Sequence, residues 1–289
     1  MRRVFALLLA LLPTACHRAP PPSPHYVLGQ PWQVGGVWFY PRENYQADET
    51  GLAIAYPSDH DDLTADGEAF DGTALAAAHQ TLQLPSIARL TNLETGRQVL
   101  VRVNDRGPPT PHRMLQVTQR TAALLGMPVD GVARVRLEVL PAESHDAVDA
   151  VPGAPRLDVT AAPRGAVQET DLPPLGSAAQ PAGTSQPTPP PSPPEAASPA
   201  VRRLPERVLQ TPPDPGRLYV RLGTFQNFQY ASMQRAQVAS IGASIVSTFE
   251  GRAQTFSVII GPLGSVQQAD AVLDQVLRAG VTEAGIVVK

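Results

Sequence analysis

Val99-Leu100-Val101-Arg102-Val103-Asn104-Asp105-Arg106-Gly107-Pro108 decides the fold of the first half of this chain. Apolar residues alternate with polar ones, which is the period of a strand with one buried face. Gly107-Pro108 then stops the strand and forces a turn. Asp105 is therefore held at a strand end by strand geometry, where a carboxylate suits proton transfer. Upstream, Gln98–Asn104 and Ile87–Asn92 alternate around Leu93-Glu94-Thr95-Gly96, a hairpin signal with a Gly-containing loop. Gly51–Tyr56 reads as another strand, and Ala133–Val139 alternates cleanly, apolar in and charged out. Thr118–Leu125 predicts a short helix, with Thr118 able to cap it, Gly126 as its stop and Pro128 beyond. Residues 51–141 thus predict a compact mainly-β domain, a small closed barrel.

The chain has 289 residues, 32 prolines and a net charge of −3. No basic footprint is present, so general nucleic-acid binding is not expected. More than half of the prolines fall between Pro141 and Pro215. Residues 142–216 show no sustained period and are rich in Pro, Ala, Ser and Thr. Such a stretch cannot bury enough apolar surface to offset its ordering entropy, so it predicts a disordered linker with local polyproline II stiffness.

The N-terminus reads as a secretory signal over residues 1–15: Met1-Arg2-Arg3, the apolar run Val4–Leu12, then Pro13-Thr14-Ala15. The run is too short to span a bilayer as a helix. The single cysteine, Cys16, follows the small residues, which makes it a candidate for lipidation; the plainer reading is a cleaved signal with an incidental Cys. Residues 16–50 form a tether and an aromatic segment (Tyr26, Trp32, Trp38, Phe39, Tyr40, Tyr45). Packing against a neighbouring domain is the favoured role of these rings, and a sugar-stacking platform is the alternative.

Residues 217–289 predict a second small domain. Leu218–Phe225, a short strand near Ala243–Ser247, Thr255–Ile260 and Gly285–Val288 read as strands. Tyr230–Ile241 and Val266–Arg278 read as helices. The order is strand-helix-strand twice over, an α+β, ferredoxin-like sandwich.

Several segments carry a family resemblance. Thr50-Gly51-Leu52-Ala53 with Tyr56, Leu63–Phe70 containing Asp66-Gly67-Glu68, Ala74–Leu82 containing His79, Thr91–Arg97, and Val99–Pro108 together resemble rare lipoprotein A, a bacterial cell-wall family with a double-psi β-barrel. Leu218–Phe225 and Phe256–Leu263 resemble the SPOR domain, which binds peptidoglycan glycan strands stripped of stem peptides. The Cys16 region resembles a lipobox, with Pro13 standing where leucine is usual. His17 after it, in place of an aspartate, favours sorting to the outer membrane.

The resemblance implies a lytic transglycosylase that cleaves the β-1,4 bond between N-acetylmuramic acid and N-acetylglucosamine and leaves 1,6-anhydro ends. It casts Asp105 as acid/base and His79 as its catalytic partner. Glu68 and Asp66 are candidates for lining the cleft, with solvated loop carboxylates as the default. Arg106 is a candidate for holding a sugar acetamide, with surface pairing to a carboxylate as the alternative. Tyr219, Phe225 and Phe256 are candidates for holding glycan in the second domain. No cofactor and no metal are expected; Asp59-His60-Asp61-Asp62 reads as a charged surface loop. The implied partners are stem-peptide-free glycan strands, a membrane through a lipid on Cys16, and division-machinery proteins. The implied location is the periplasmic side of the outer membrane, enriched at the septum. One departure bears on activity: Gln116 stands where the family usually has Asp, and Gln cannot take a proton. A non-catalytic peptidoglycan-binding lipoprotein is therefore the alternative.

Overall fold

The computed structural model describes residues 21–57, 63–129, 131–155, 203–250 and 253–289. The signal segment, Cys16 and the Asp59–Asp62 run lie outside the described residues.

In chain order, a small hairpin comes first, β1 (Trp32–Val34) and β2 (Val37–Phe39). Gly35 and Gly36 both have positive φ, 58° and 80°, as a two-residue turn of primed type requires. Then follow β3 (Asp48–Ala55), β4 (Ala76–His79), β5 (Ser86–Asn92), β6 (Arg97–Arg106) and β7 (Leu115–Val117). Helix α1 (Gln119–Leu125) and β8 (Ala133–Val139) complete the first domain. Thr118 caps α1 by accepting from the Thr121 N–H, and Gly126 closes it in the left-handed region, as a Gly after the last helical residue does.

The strand order β4-β7-β3-β8-β5-β6 closes on itself because β4 also pairs with β6. Two pairs are parallel, β3 with β7 and β4 with β6, while the others are antiparallel. A closed six-strand barrel with two parallel crossings is the double-psi arrangement. Its interior is filled by Ala53, Ala77, Val99, Val101, Val103, Leu115, Val117, Val135 and Leu137. These are the alternate residues of each strand, as the two-residue period demands.

The structure orders both ends of the stretch 142–216. Helix α2 (Pro141–Asp149) packs on β5, with Ser144 Oγ bridging the Ile87 N–H and C=O. It escapes the sequence reading because it is short and weakly amphipathic, so packing rather than pattern holds it. On the other side, β9 (Leu209–Gln210) extends the sheet beside β6. The chain stays on the barrel through Thr211 N–H to Gly96 C=O and Asp214 N–H to Leu93 C=O. A two-residue strand between prolines leaves no periodic signal.

The second domain runs β10 (Leu218–Phe225), α3 (Phe228–Gln237), β11 (Ser244–Glu250), β12 (Ala253–Leu263), α4 (Val266–Arg278) and β13 (Gly285–Val288). The antiparallel sheet has the order β11-β12-β10-β13. Leu218, Val220 and Leu222 project from one face of β10 into a core with Ala231 of α3 and Ala269, Leu273 and Val276 of α4.

The two domains are in contact. Leu52 of β3 is buried in the second domain's apolar cluster with Leu218, Ile286 and Val288. Thr50 Oγ1 donates to the Val288 carbonyl at 2.7 Å and accepts from its N–H at 3.1 Å. Arg113 forks onto Asp270 at 2.7 and 3.0 Å, and His112 Nε2 meets Asp274 at 2.9 Å.

Candidate active site

Register sorts the chemistry-bearing residues into two places. Ala77 pairs with Val103 and Val117, all core residues, so that row faces the barrel interior. The next row, Gln116–Ala78–Asp105, faces outward. Asn104 is the extra residue of a bulge in β6, which sets this register. Ile54 pairs with Gln116 across β3, so Tyr56, two residues on, leaves the same outer face.

On that face, donors converge on Asp105. Tyr56 Oη donates to Oδ2 at 2.9 Å, and the N–H groups of Ala65 and Arg106 donate to Oδ1, each at 2.8 Å. Burial, followed by the charge of Asp105 and the hydrogen bond to it, raises the Tyr56 phenol well above its usual range. The phenol therefore stays protonated and keeps donating. Phe70 packs edge-on to Tyr56, with ring centroids 5.1 Å apart. Gly107 has φ 145°, and a Cβ there would lie 3.7 Å from both Ala78 Cβ and Gln116 Oε1. Gln116 and Asp105 stand two strand spacings apart, about 9–10 Å between backbones.

The loop ahead of β4 forms one wall. Glu68 is turned inward, paired with Arg102 at 2.6 Å and accepting from Asn104 Nδ2 at 2.8 Å. It thereby ties the loop to the bulge. Asp66 is fully buried, with Oδ1 accepting from Thr64 Oγ1 at 2.7 Å and Oδ2 unpartnered among the described residues. Burial, followed by the charge of Glu68, pushes its carboxyl up to about 8. Asp66 therefore holds its proton near neutral pH, beside the Glu68–Arg102 pair.

The folded protein therefore binds a proton at Asp66 that the unfolded chain releases at the ordinary carboxylate pKa. Stability is expected to fall as pH rises from that range through about 8. Asp66→Asn, which cannot ionise, is expected to flatten the decline in thermal midpoint over this window. An unchanged decline would show that another group carries it.

His79 belongs to the other place. It pairs with Arg106 and Leu115, on the interior side, and is 2% exposed. Its Nδ1 accepts from the Thr81 and Leu82 N–H groups, both at 3.2 Å, which leaves the ring proton on Nε2. Nε2 points toward Glu49 Oε2 at 3.7 Å. The His79 ring, and then Arg221 and Arg42, hold Glu49 below the usual carboxylate range against its burial. Asp105 and His79 thus sit on neighbouring strands but on opposite faces.

Arg106 is a clamp. Its guanidinium donates to the carbonyls of His79 (3.2 Å), Leu82 (2.7 Å) and Leu28 (3.1 Å). Burial pulls its pKa down to about 10, opposed by Asp105. In the second domain, Tyr219 is half-buried on the face of β10 opposite Leu218 and Val220, paired with the buried Val287. Phe225 and Phe256 pack against the domain core, and Phe256 meets Phe228 edge-on at 5.5 Å.

Tyr56, Glu49 and the Ala65 N–H escape a sequence reading of the site. Tyr56 alone leaves a signal, a polar aromatic at the end of an apolar strand.

Residues 48–137 match the double-psi barrel family described as lytic transglycolase, and residues 214–287 match the SPOR domain. The chain is 33% identical over 275 residues to the endolytic peptidoglycan transglycosylase RlpA of Pseudomonas aeruginosa (strain UCBPP-PA14), covering 92% of this chain and 79% of that protein. It is 39% identical over 113 residues to the endolytic peptidoglycan transglycosylase RlpA of Campylobacter jejuni, covering 38% of this chain and 41% of that protein. The crystal structure of the RlpA SPOR domain from Pseudomonas aeruginosa aligns with 25% of this chain and 99% of its own, at 23% identity and a TM-score of 0.24.

Proposed function

Because this chain belongs to the rare lipoprotein A family of endolytic peptidoglycan transglycosylases, we propose that it is a peptidoglycan lytic transglycosylase working on the outer face of β7, β4 and β6. The observation that carries the reading is a buried carboxyl, Asp105, fixed in position at the strand end by Tyr56 and two backbone N–H groups. Asp105 enters the step protonated and gives that proton to the glycosidic oxygen as the bond to the N-acetylmuramic acid anomeric carbon breaks. It then accepts the proton of the muramyl C6 hydroxyl as that oxygen closes on the same carbon. No water is consumed, and a 1,6-anhydro end results. One carboxyl suffices for this sequence, unlike the paired carboxylates of hydrolytic glycosidases. Tyr56 holds Oδ2 in place while its charge changes. His79, with Glu49, shapes the interior wall behind the strand and acts as a positioning residue.

The second domain is proposed to hold strands free of stem peptides, which concentrates them near the barrel. Secretion, lipidation at Cys16, outer-membrane attachment and enrichment at the septum complete the proposal and follow from the N-terminal pattern and the family.

Digestion of stem-peptide-free glycan by the full chain, followed by mass analysis, tests it. Anhydro-ended fragments are expected. Intact glycan with measurable binding would instead favour a non-catalytic wall-binding protein. The specific feature behind that second reading is the neutral Gln116, on the same face as Asp105 with Ala78 between.

A further inference from the structure

The hairpin β1–β2 carries aromatic rings on both faces, and the two faces are used differently. Trp32 stacks on Phe39 with centroids 4.7 Å apart, and Trp32 Nε1 donates to the Gln80 carbonyl at 3.1 Å. This face anchors the hairpin to the loop after β4. On the other side, Trp38 and Tyr40 lie two residues apart and stack at 6.5 Å with an interplanar angle of 29°. They are 47% and 57% exposed. Exposed, rigidly backed, near-parallel rings are costly to leave in water without a use.

These rings border a cavity of about 550 Å³ between the barrel and the second domain, within the roughly 300–1,000 Å³ range of small-ligand sites. Its barrel wall includes Arg42 and Glu49, and its other wall includes Arg221 and Thr224 of β10. Arg42, Glu49 and Arg221 all line this cavity, so their planar hydrogen-bonding groups border one space. A pair of exposed rings flanked by planar polar side chains matches a pyranose: the rings take its C–H face, and the polar groups take its hydroxyls and acetamide. The lining mixes aliphatic residues such as Val37 and Ile286 with Gln80, Thr81 and Thr282, so hydrogen-bonding groups share the cavity with the rings.

Resting on the cleavage reading above, we propose that this crevice is a binding subsite for a peptidoglycan glycan strand, with Trp38 and Tyr40 as its stacking platform. The strand runs between Arg221 and Thr224 of β10 on one side and the barrel on the other. Its contact with the hairpin lies outside both the barrel's outer face and the second domain.

The test uses the full chain carrying Asp105→Asn, with glycan integrity checked by mass analysis. Binding to purified stem-peptide-free strands is compared with and without Trp38→Ala/Tyr40→Ala. Affinity is expected to fall roughly tenfold or more, as loss of central aromatic anchors does, with the thermal midpoint unchanged. Equal affinity would overturn the proposal. Tyr40→Ala alone carries the test if the double variant melts lower, with a weaker loss of affinity expected and none overturning it. The two readings fail separately: absence of anhydro ends from the wild type sinks cleavage, whereas equal affinity sinks only the platform.

Discussion

Asp105→Asn is expected to lower release of anhydro-ended fragments by about 10²–10⁴-fold, the range lost when a general acid/base is removed. The fold is expected to survive. Asn has the same shape, and its Oδ1 can still accept from the Ala65 and Arg106 N–H groups that hold Asp105 at 2.8 Å. What it lacks is a proton to give and a charge to receive one. Thermal midpoint and glycan affinity close to wild type, with product lost, is therefore the expected pattern. Retention of full product release would remove Asp105 from the chemistry. Tyr56→Phe separates holding from transfer: it keeps the ring against Phe70 but loses the 2.9 Å bond to Oδ2. A smaller loss than Asp105→Asn is expected, because Asp105 retains its backbone donors.

The largest effect on stability is expected at Arg106. Its guanidinium satisfies the carbonyls of His79, Leu82 and Leu28. Truncation leaves these carbonyls without their donor, and hydrogen bonds to a charged group contribute about 1.5–3 kcal/mol each, though not additively. Arg106→Ala is therefore expected to cost about 3–5 kcal/mol, measured by denaturant unfolding. Arg106→Lys is expected to recover only part of this, since a single ammonium cannot reproduce the planar fork. The same clamp joins the N-terminal segment and the loop after β4 to the residue next to Asp105. A loss below about 1 kcal/mol would show that solvent or neighbouring donors replace it.

Much of the fold is legible in the sequence. Ala133–Val139, Leu218–Phe225, Val266–Arg278 and Gly285–Val288 are read from period alone with the bounds the structure shows. Each has a clear apolar side that a core must cover. Four residues of β4, three of them alanine, have no such signal; they are a strand because β6 and β7 supply partners on both edges. Helix α2 and strand β9 are likewise made by the surface they lie on.

The candidate site divides along the same line. Asp105 is visible as a carboxylate at a strand end, and His79 as a polar residue in an alanine run. That they face opposite ways is not visible, because the bulge at Asn104 and the parallel pairing of β4 with β6 set their register. The loop carboxylates look solvated in sequence, yet Asp66 and Glu68 are buried, since Thr64, Arg102 and Asn104 meet them only after folding.

The sequence by itself determined the two domains, their classes and the carboxylate at the end of Val99–Arg106, since period and turn chemistry act between near neighbours. Only the tertiary structure decided which residues share a face with that carboxylate. It also decided that Trp38 and Tyr40 look into a crevice between domains. Pairing of strands distant in the chain depends on closing a barrel, and no local pattern encodes the register at which it closes.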